Sequence, residues 1–315
     1  MIQVQVSARQ IVADEIVEIE LVPVAGQQLP AFDAGSHIDV HLAGGLVRQY
    51  SLLNSPSEGH RYCIGVLKDP ASRGGSEAVH RDLRVGHVLA INGPRNNFAL
   101  DPKASDNLLL AGGIGITPIL SMAHTLSEGG REFSLHYCAR APSRAAFVDR
   151  ILGSVFKSRA RIHFDDGSAD QRFSLRQALE SRKANAHVYI CGPTGFINAM
   201  KDEAACLGIP HDRIHIEHFG ASVPVTGGRF IVNATRSSVV AEVGESQTIA
   251  QVLGAHGISV ELSCEQGVCG TCLTPVIDGL PDHRDIYQSD EEKAKNDQIT
   301  ICCSRSLSPQ LILDI

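Results

Sequence analysis

The sequence lacks the features that define several broad classes of protein. No segment approaches about 18 consecutive apolar residues, so we expect no segment that spans a bilayer. The N-terminal stretch has no basic region followed by a long apolar run, so we expect no signal peptide. Positive charge is not in excess: the formal net charge of −7 argues against nucleic acid as the main partner. Tryptophan is absent, and this absence excludes nothing.

The bulk composition is that of an ordinary globular protein. The chain has 315 residues, 20% charged and 43% hydrophobic, which suffices for two or three domains with separate cores. The nine cysteines are an odd number, and four of them share one motif, so we do not expect a disulfide framework. A reducing, cytoplasmic location is therefore expected.

The strongest motif lies near the C-terminus and consists of four cysteines. Three follow the spacing C-x4-C-x2-C, and the fourth comes after 29 further residues, which is the plant-type pattern of a 2Fe–2S cluster. Gly267 and Gly270 fit this site, because a loop around a cluster needs φ values that glycine reaches freely. A structural zinc site is the alternative, but zinc sites usually combine two Cys-x-x-Cys pairs. The predicted ligands are Cys264, Cys269, Cys272 and Cys302.

The first hundred residues consist of short alternating runs separated by Gly, Pro and Asn, which predicts a small antiparallel barrel. One run ends in Arg48-Gln49-Tyr50-Ser51. Another segment, Ser72-Arg73-Gly74-Gly75-Ser76, precedes a predicted helix, and a glycine turn at a helix N-terminus favours a phosphate. Each segment taken alone is a common loop composition, so neither by itself establishes a cofactor site.

Strands and helices alternate in the middle of the chain, which predicts a parallel sheet covered on both faces. An apolar strand runs into Gly112-Gly113-Ile114-Gly115-Ile116-Thr117-Pro118, with Thr117 expected as N-cap and Pro118 as first helical residue. Such a turn holds a pyrophosphate, although Pro118 replaces the third glycine of the usual fingerprint. Cys191-Gly192-Pro193 follows a later strand; a lone cysteine there is more often simply buried.

The tail reads as a linker followed by a small mixed domain. Residues 222–228 are small, polar and turn-forming, and short strands with one helix surround the cysteine motif after them. This pattern predicts an α+β, β-grasp domain. The remaining cysteines, Cys63, Cys138 and Cys206, are expected in the core.

The barrel motifs, followed by Gly93-Pro94-Arg95-Asn96-Asn97-Phe98, resemble the flavin domain of the ferredoxin–NADP reductase superfamily. The resemblance implies that Ser51 lies near flavin N5, and that the Arg-Gly-Gly-Ser form binds the phosphate of FMN. The implied flavin contacts are Arg48, Tyr50, Ser51, Arg73, Gly74, Gly75 and Ser76.

The middle motifs resemble the nucleotide domain of the same superfamily, in which Cys-Gly-Pro lies beside the nicotinamide. The implied contacts are Gly112, Gly113, Gly115, Thr117, Pro118, Cys191, Gly192 and Pro193. Phe219 is implied beside the flavin, although an aromatic residue that closes a domain is commonly core. No acidic residue for a ribose follows strand Phe133–Ala139, and arginines occur there instead, so both NADH and NADPH remain open; relatives favour NADH.

The domain order resembles the phthalate dioxygenase reductase family of Rieske oxygenase reductases. The Cys302-Cys303-Ser304-Arg305 ending resembles the family's Cys-x-Ser-Arg, which favours Cys302 as ligand. The resemblance implies hydride transfer from NAD(P)H to FMN, with Ser51, Cys191 and Phe219 at the reacting centre, and single-electron transfer through the cluster to a separate oxygenase component that acts on an aromatic or similar substrate. The expected domains are 1–100 for FMN, 101–221 for the nucleotide, 222–228 as linker and 229–315 as ferredoxin.

Two alternatives stay open. One is a nucleotide-binding redox sensor with zinc or a regulatory cluster in its tail. The other is a stand-alone flavin reductase whose tail carries no electrons. Neither nucleic acid nor a membrane is an expected partner of the chain.

Overall fold

The computed structural model describes residues 1–24, 26–70, 74–168, 171–219, 224–262 and 264–315. Its contacts divide the chain into two compact units, Met1–Phe219 and Gly220–Ile315. Within the described ranges, no helix has both the length and the apolar character needed to cross a membrane.

The first unit begins with a six-stranded antiparallel sheet. Its strand order is β4-β3-β6-β1-β2-β5, and a bridge between Leu52 and Ile64 joins its two ends into a barrel. Alternate side chains such as Val4, Val6 and Ile19 fill the interior, as expected for strands with one buried face. The elements are β1 Ile2–Ala13, β2 Ile16–Pro23, β3 Ser36–His41, β4 Val47–Ser51, β5 Tyr62–Leu67, α1 Gly75–Asp82 and β6 Val88–Asn96.

The same unit continues into a five-stranded parallel sheet of order β11-β10-β7-β8-β9. The first strand of this sheet, β7, lies in its middle. The next two strands are added on one side of β7 and the last two on the other, and α/β sheets bind ligands at the point where this order switches. The elements are β7 Asp106–Gly112, α2 Ile116–Glu128, β8 Glu132–Ala139, α3 Val148–Gly153, β9 Ala160–Phe164, α4 Leu175–Glu180, β10 His187–Gly192, α5 Thr194–Cys206 and β11 Ile214–His218.

Barrel and parallel sheet share one hydrophobic core within this unit. Ile16, Leu53 and Cys63 of the barrel pack in the same cluster as Leu109 and Ile116 of the α/β part. This shared core fixes the end of β4 relative to the ends of β7 and β10. The contacts therefore do not separate the barrel from the parallel sheet, and the domain boundary between residues 100 and 101 stays a prediction from the sequence.

The second unit contains a five-stranded mixed sheet of order β13-β12-β18-β14-β16, in which β12 and β18 are parallel. Capping boxes start its two helices, with Thr248 paired to Gln251 and Ser289 to Glu292. The elements are β12 Phe230–Ala234, β13 Val239–Val243, α6 Ile249–Ala255, β14 Leu273–Asp278, β15 Pro281–Asp282, α7 Asp290–Lys295, β16 Gln298–Thr300, β17 Arg305–Ser306 and β18 Gln310–Leu313.

Part of the predicted linker is held on the second unit by a buried arginine. Arg305, only 2% exposed, donates to the main-chain oxygens of Val225 and Gly228 as well as to those of Gly244 and Gln247. These bonds satisfy the guanidinium, which would otherwise be costly to bury. The described end of the linker, residues 224–228, is therefore attached rather than free.

The three leftover cysteines differ in placement. Cys63 and Cys138 are buried, whereas Cys206 is exposed, so the core prediction was wrong for Cys206. It is the last residue of α5, whose buried residues are Ile197, Met200 and Ala204. Cys206 lies two residues after Ala204, about 200° around the helix, so it is on the side opposite these buried residues.

Candidate functional site

The side chain of Glu217 connects the barrel to the parallel sheet. Ser51 ends β4, Cys191 lies near the end of β10, and Glu217 lies beside Cys191 on the neighbouring strand β11. The Ser51 hydroxyl donates to Glu217 Oε2 at 3.2 Å, and the Cys191 thiol lies 4.0 Å from the same oxygen. Ser51 and Cys191 belong to two separate sequence motifs, and the structure brings them to one oxygen atom.

Burial changes the protonation of this group. It raises the pKa of Glu217 from 4.5 to about 8, and the hydrogen bond from Ser51 opposes the rise. Burial likewise raises the pKa of the Cys191 thiol well above its usual value, and the nearby Glu217 acts in the same direction. At neutral pH, Glu217 is therefore mostly a neutral carboxylic acid and Cys191 a neutral thiol.

Sequence reasoning gave Glu217 no role. Its position depends on β11 lying next to β10, and strand order is not written in the local sequence. The available signal was its location near the carboxyl end of a parallel strand, where ligand-binding residues of α/β sheets collect.

Glycines allow the turns after β7 and β10 to touch. A Cβ on Gly115 would lie 2.5 Å from the Cys191 carbonyl carbon, and one on Gly112 would lie 3.0 Å from Pro193 Cδ. Gly192 approaches Gly112 equally closely, with 3.0 Å between its added Cβ and the Gly112 Cα. The two predicted nicotinamide motifs thus form one contiguous surface. At Gly112, Gly115 and Gly192, this surface leaves no room for a side chain larger than that of glycine.

The start of α2 differs from the prediction. A 3-10 turn over Gly113–Gly115 precedes the helix, which begins at Ile116, so Thr117 is not the N-cap and Pro118 is not the first residue. The Thr117 hydroxyl donates to the Ile114 carbonyl oxygen at 3.1 Å. Both Thr117 and Pro118 are buried, whereas Gly113 is partly exposed, so the main chain of the turn is what a ligand can reach.

Two carboxylates missed by the sequence-based analysis lie at the same edge of the sheet. Asp165 and Asp166 follow β9, and their main-chain N–H groups donate to the oxygens of Ala139 and Arg140 at 3.1 and 3.3 Å. The segment directly after β8, where the sequence pattern places a ribose-binding acidic residue, contains none. Residues after the neighbouring strand reach the same place because parallel strands end together.

The predicted phosphate site on the barrel has the form of a cradle. A Cβ on Gly75 would lie 2.5 Å from both Cγ and Nε of Arg48, so the arginine lies directly over the start of α1. Gly74, the residue before the helix, has a φ of +85°, which glycine adopts without strain. Ser76 Oγ accepts from the Asp69 N–H at 3.1 Å. A cation beside free helical N–H groups suits a phosphate; the predicted contact Arg73 lies outside the described residues.

Two aromatic residues complete the predicted contacts. Tyr50 is half-buried on β4, and burial raises the pKa of its hydroxyl above the usual value, so it stays protonated. Phe219 follows β11 directly and is 38% exposed. It is thus not a core residue, contrary to the alternative interpretation of an aromatic residue at a domain end.

The four predicted cluster ligands converge in the second unit. Cys264 contacts the thiols of Cys269 and Cys302, and Cys302 also contacts Cys272. The contacts with Cys269 and Cys302 lower the pKa of Cys264, and N–H donors of the loop act in the same direction. Three of the four are buried, and Cys269 is partly exposed.

The loop around these thiols has the features that a thiolate cluster needs. The N–H groups of residues 266 and 268 point at Cys264 Sγ, at 3.3 and 3.4 Å, and Thr271 Oγ1 lies 3.2 Å from Cys269 Sγ. Gly267 and Gly270 both have a φ of +71°. Donors aimed at sulfur stabilise thiolate, so the residues present fit a 2Fe–2S cluster.

Two parts of the chain match family models. Residues 232–307 match the 2Fe-2S iron-sulfur cluster binding domain, and residues 109–202 match the oxidoreductase NAD-binding domain. The first range includes all four predicted ligands, and the second includes the glycine turn after β7 and Cys191.

The chain also matches known proteins over its whole length. The chain is 50% identical over 317 residues to the vanillate O-demethylase oxidoreductase of Pseudomonas sp. (strain HR199 / DSM 7063), with 100% of each chain covered. It is 37% identical to the phthalate dioxygenase reductase of Burkholderia cepacia, covering 100% of this chain and 97% of the relative. A solved structure of phthalate dioxygenase reductase, described as a modular structure for electron transfer from pyridine nucleotides to [2Fe–2S], matches with a TM-score of 0.81 and 36% identity over 99% of this chain and 97% of that one.

Proposed function

Because the chain belongs to the phthalate dioxygenase reductase family, we propose that it is the reductase component of a Rieske-type oxygenase that acts on an aromatic or similar substrate. It carries electrons from NAD(P)H through a flavin and a 2Fe–2S cluster to that oxygenase. The two relatives are named for vanillate and for phthalate, so family membership alone does not fix the substrate. The substrate binds the partner and not this chain.

The observation that carries the proposal is the shared carboxylate of Glu217. It receives a hydrogen bond from Ser51, predicted to lie beside the flavin, and contacts Cys191, predicted to lie beside the nicotinamide. Two rings that react by hydride transfer must meet face to face, so their binding residues must converge. A redox sensor that binds a nucleotide without turnover has no need for this convergence.

Separate parts of the chain would hold the three groups. The flavin phosphate fits the cradle of Arg48, Gly74, Gly75 and Ser76. The nucleotide fits the turns around Gly113 and Gly192, and the cluster fits the four thiols. We propose residues 1–100, 101–221 and 229–315 as the corresponding domains. The free thiols suit a reducing compartment, so we propose a cytoplasmic location.

When bound, FMN takes two electrons as a hydride and releases them singly to a cluster that accepts one at a time. The chain supplies orientation and protonation around that exchange. Glu217 is protonated near neutral pH and so holds a proton between Ser51 and Cys191. The hydrogen bond from Ser51 fixes the direction of its carboxyl group. Cys191 stays a neutral thiol, which leaves the nicotinamide position without a negative charge. Phe219 is exposed directly after β11, where it would limit access to a bound flavin.

NADH fits the edge of the sheet better than NADPH. The carboxylates of Asp165 and Asp166 follow β9, next to the end of β8 where the adenosine ribose binds in sheets of this type. A carboxylate accepts hydrogen bonds from ribose hydroxyls and repels a 2′-phosphate. The double variant Asp165→Asn, Asp166→Asn should lower the ratio of kcat/KM for NADH over NADPH about 10-fold or more. An unchanged ratio would show that these carboxylates do not face the ribose.

One pair of assays tests the electron route. Cys302→Ser removes one cluster ligand and should abolish reduction of cytochrome c, a one-electron acceptor, while NADH still reduces a two-electron dye at the rate of the original protein. A matched Cys206→Ser variant removes an exposed thiol outside the motif and should change neither rate. Cytochrome c reduction that survives without a cluster would favour a stand-alone flavin reductase, and a colourless preparation that contains zinc would favour a sensor.

A further inference from the structure

A buried carboxylate lies behind the cluster loop. Asp285 is 2% exposed, and among the described residues of the second unit only Asp285 and Arg305 are charged side chains that are buried. The Thr300 hydroxyl donates to Asp285 Oδ1 at 3.1 Å, and the Gln288 N–H donates to Oδ2 at 2.8 Å. The carboxylate is thus held mainly by neutral donors.

Among the described residues, His283 is the one basic side chain within 4.0 Å of the Asp285 carboxylate, at the outer limit of an ion pair. Lys293 Nζ donates to the main-chain oxygen of Asp285 at 2.5 Å, and His283 Nδ1 lies 4.0 Å from Oδ1. A buried carboxylate without a close cation is costly, so a residue chosen only for stability would more often be neutral here.

Asp285 contacts both parts of the ligand set. A Cβ on Gly267, in the loop that carries three of the ligands, would lie 2.9 Å from the Cα of Asp285 and 2.6 Å from Cys303 Sγ. The next residue, Ile286, donates its N–H to the Gly267 oxygen at 3.0 Å. Through Thr300, the same carboxylate reaches the turn that carries the fourth ligand, Cys302.

The charge of Asp285 fixes the directions of the hydroxyls in that turn. A carboxylate only accepts, so the single hydrogen of Thr300 points to Asp285. The Thr300 oxygen then accepts from Ser304, whose oxygen lies 2.8 Å away and itself accepts from the Arg284 N–H at 3.1 Å. Cys303 Sγ, 3.4 Å from the Thr300 oxygen, consequently receives no hydrogen from Thr300.

We propose that Asp285 is a positioning residue that keeps the reduction potential of the 2Fe–2S cluster low. Its negative charge opposes the arrival of an electron at the cluster. The hydroxyl hydrogens of Thr300 and Ser304, whose directions it fixes, point away from Cys303 Sγ, next to the predicted ligand Cys302. Net charge and hydrogen bonds near the sulfurs are the means by which proteins set cluster potentials. A low potential favours delivery of electrons to the oxygenase, so this inference rests on the proposed function.

The substitution Asp285→Asn removes the charge and keeps the shape. Its amide nitrogen can donate to the Thr300 oxygen, which frees the single Thr300 hydrogen to point to either Cys303 Sγ or Ser304 Oγ. The matched control is Asp290→Asn, five residues away and exposed at the start of α7. In the complete, cofactor-loaded protein, the midpoint potential measured by titration with electron paramagnetic resonance should become less negative in Asp285→Asn and stay unchanged in Asp290→Asn.

An unchanged potential in an Asp285→Asn protein that holds its cluster would overturn the proposal. If that variant holds no cluster, Asp285→Ser repeats the comparison with a smaller neutral side chain and the same expected shift. Loss of the cluster in both, with Asp290→Asn intact, would also overturn it, because Asp285 would then act only in assembly. Reduction of the unaltered protein by NADH tests the proposed function separately, and its failure would leave the potential shift measurable with dithionite.

Discussion

Replacing Glu217 by glutamine should remove a pH dependence of stability that burial of this carboxyl group creates. The folded protein raises its pKa from 4.5 to about 8, so between these values the folded state holds a proton that the unfolded state has released. Stability therefore falls as pH rises through this window. Glutamine resembles the protonated form, and it can still accept the hydrogen bond from Ser51.

The size of the effect follows from the shift. Each pKa unit corresponds to about 1.4 kcal/mol, so the full shift sets a ceiling of about 5 kcal/mol between acid and alkaline limits. Glu217 keeps some solvent contact, which screens its charge, so about 2 to 3 kcal/mol is the expected loss. The variant Glu217→Gln should match the original protein near pH 5 and exceed it by this amount near pH 8.5.

Urea unfolding measured by circular dichroism from pH 5 to 8.5 checks this expectation. The chain has no tryptophan, so loss of flavin fluorescence quenching serves to assign the transition to the unit that contains Glu217. Asp202→Asn, on the exposed side of α5, is the control and should keep the pH slope of the original protein. Equal slopes in the Glu217→Gln and original proteins would refute the buried, proton-holding carboxyl group.

Two glycine substitutions test the close approaches. Gly115→Ala would bring a methyl group within 2.5 Å of the Cys191 carbonyl carbon, so it should cost about 1 to 3 kcal/mol and weaken NADH binding. The control Gly195→Ala, in helix α5 with open space around it, should lose no stability and keep NADH binding. Gly267→Ala meets both a strained φ of +71° and a sulfur at 2.6 Å, so iron content should fall while flavin content stays normal. Full NADH affinity in the first variant, or full iron content in the second, would contradict these contacts.

Motif spacing predicted the parts of the site that depend on local chain geometry. The glycine turn after β7 and the loop from Cys264 to Cys272 are each set by a few consecutive residues. Their φ requirements and donor directions can be inferred from where glycine and cysteine stand. The fold of each segment could likewise be predicted, because alternation predicts antiparallel strands and buried apolar runs predict parallel ones.

Strand order and fine geometry could not be inferred in this way. Glu217 became part of the site only because β11 pairs with β10, and Asp165 only because β9 pairs with β8. Thr117 was expected to cap α2, but a 3-10 turn precedes the helix, which begins at Ile116, two residues earlier than predicted. These outcomes depend on tertiary pairing, which a local pattern does not contain.

The central claim is that electrons from NADH pass through a flavin to a cluster on one chain. Anaerobic titration of the purified protein with NADH, followed by absorption and electron paramagnetic resonance, tests it most directly. The expected result is bleaching of both flavin and iron–sulfur bands and the appearance of the signal of a reduced 2Fe–2S cluster. Bleaching of the flavin alone, with an oxidised cluster that dithionite then reduces, would contradict the account.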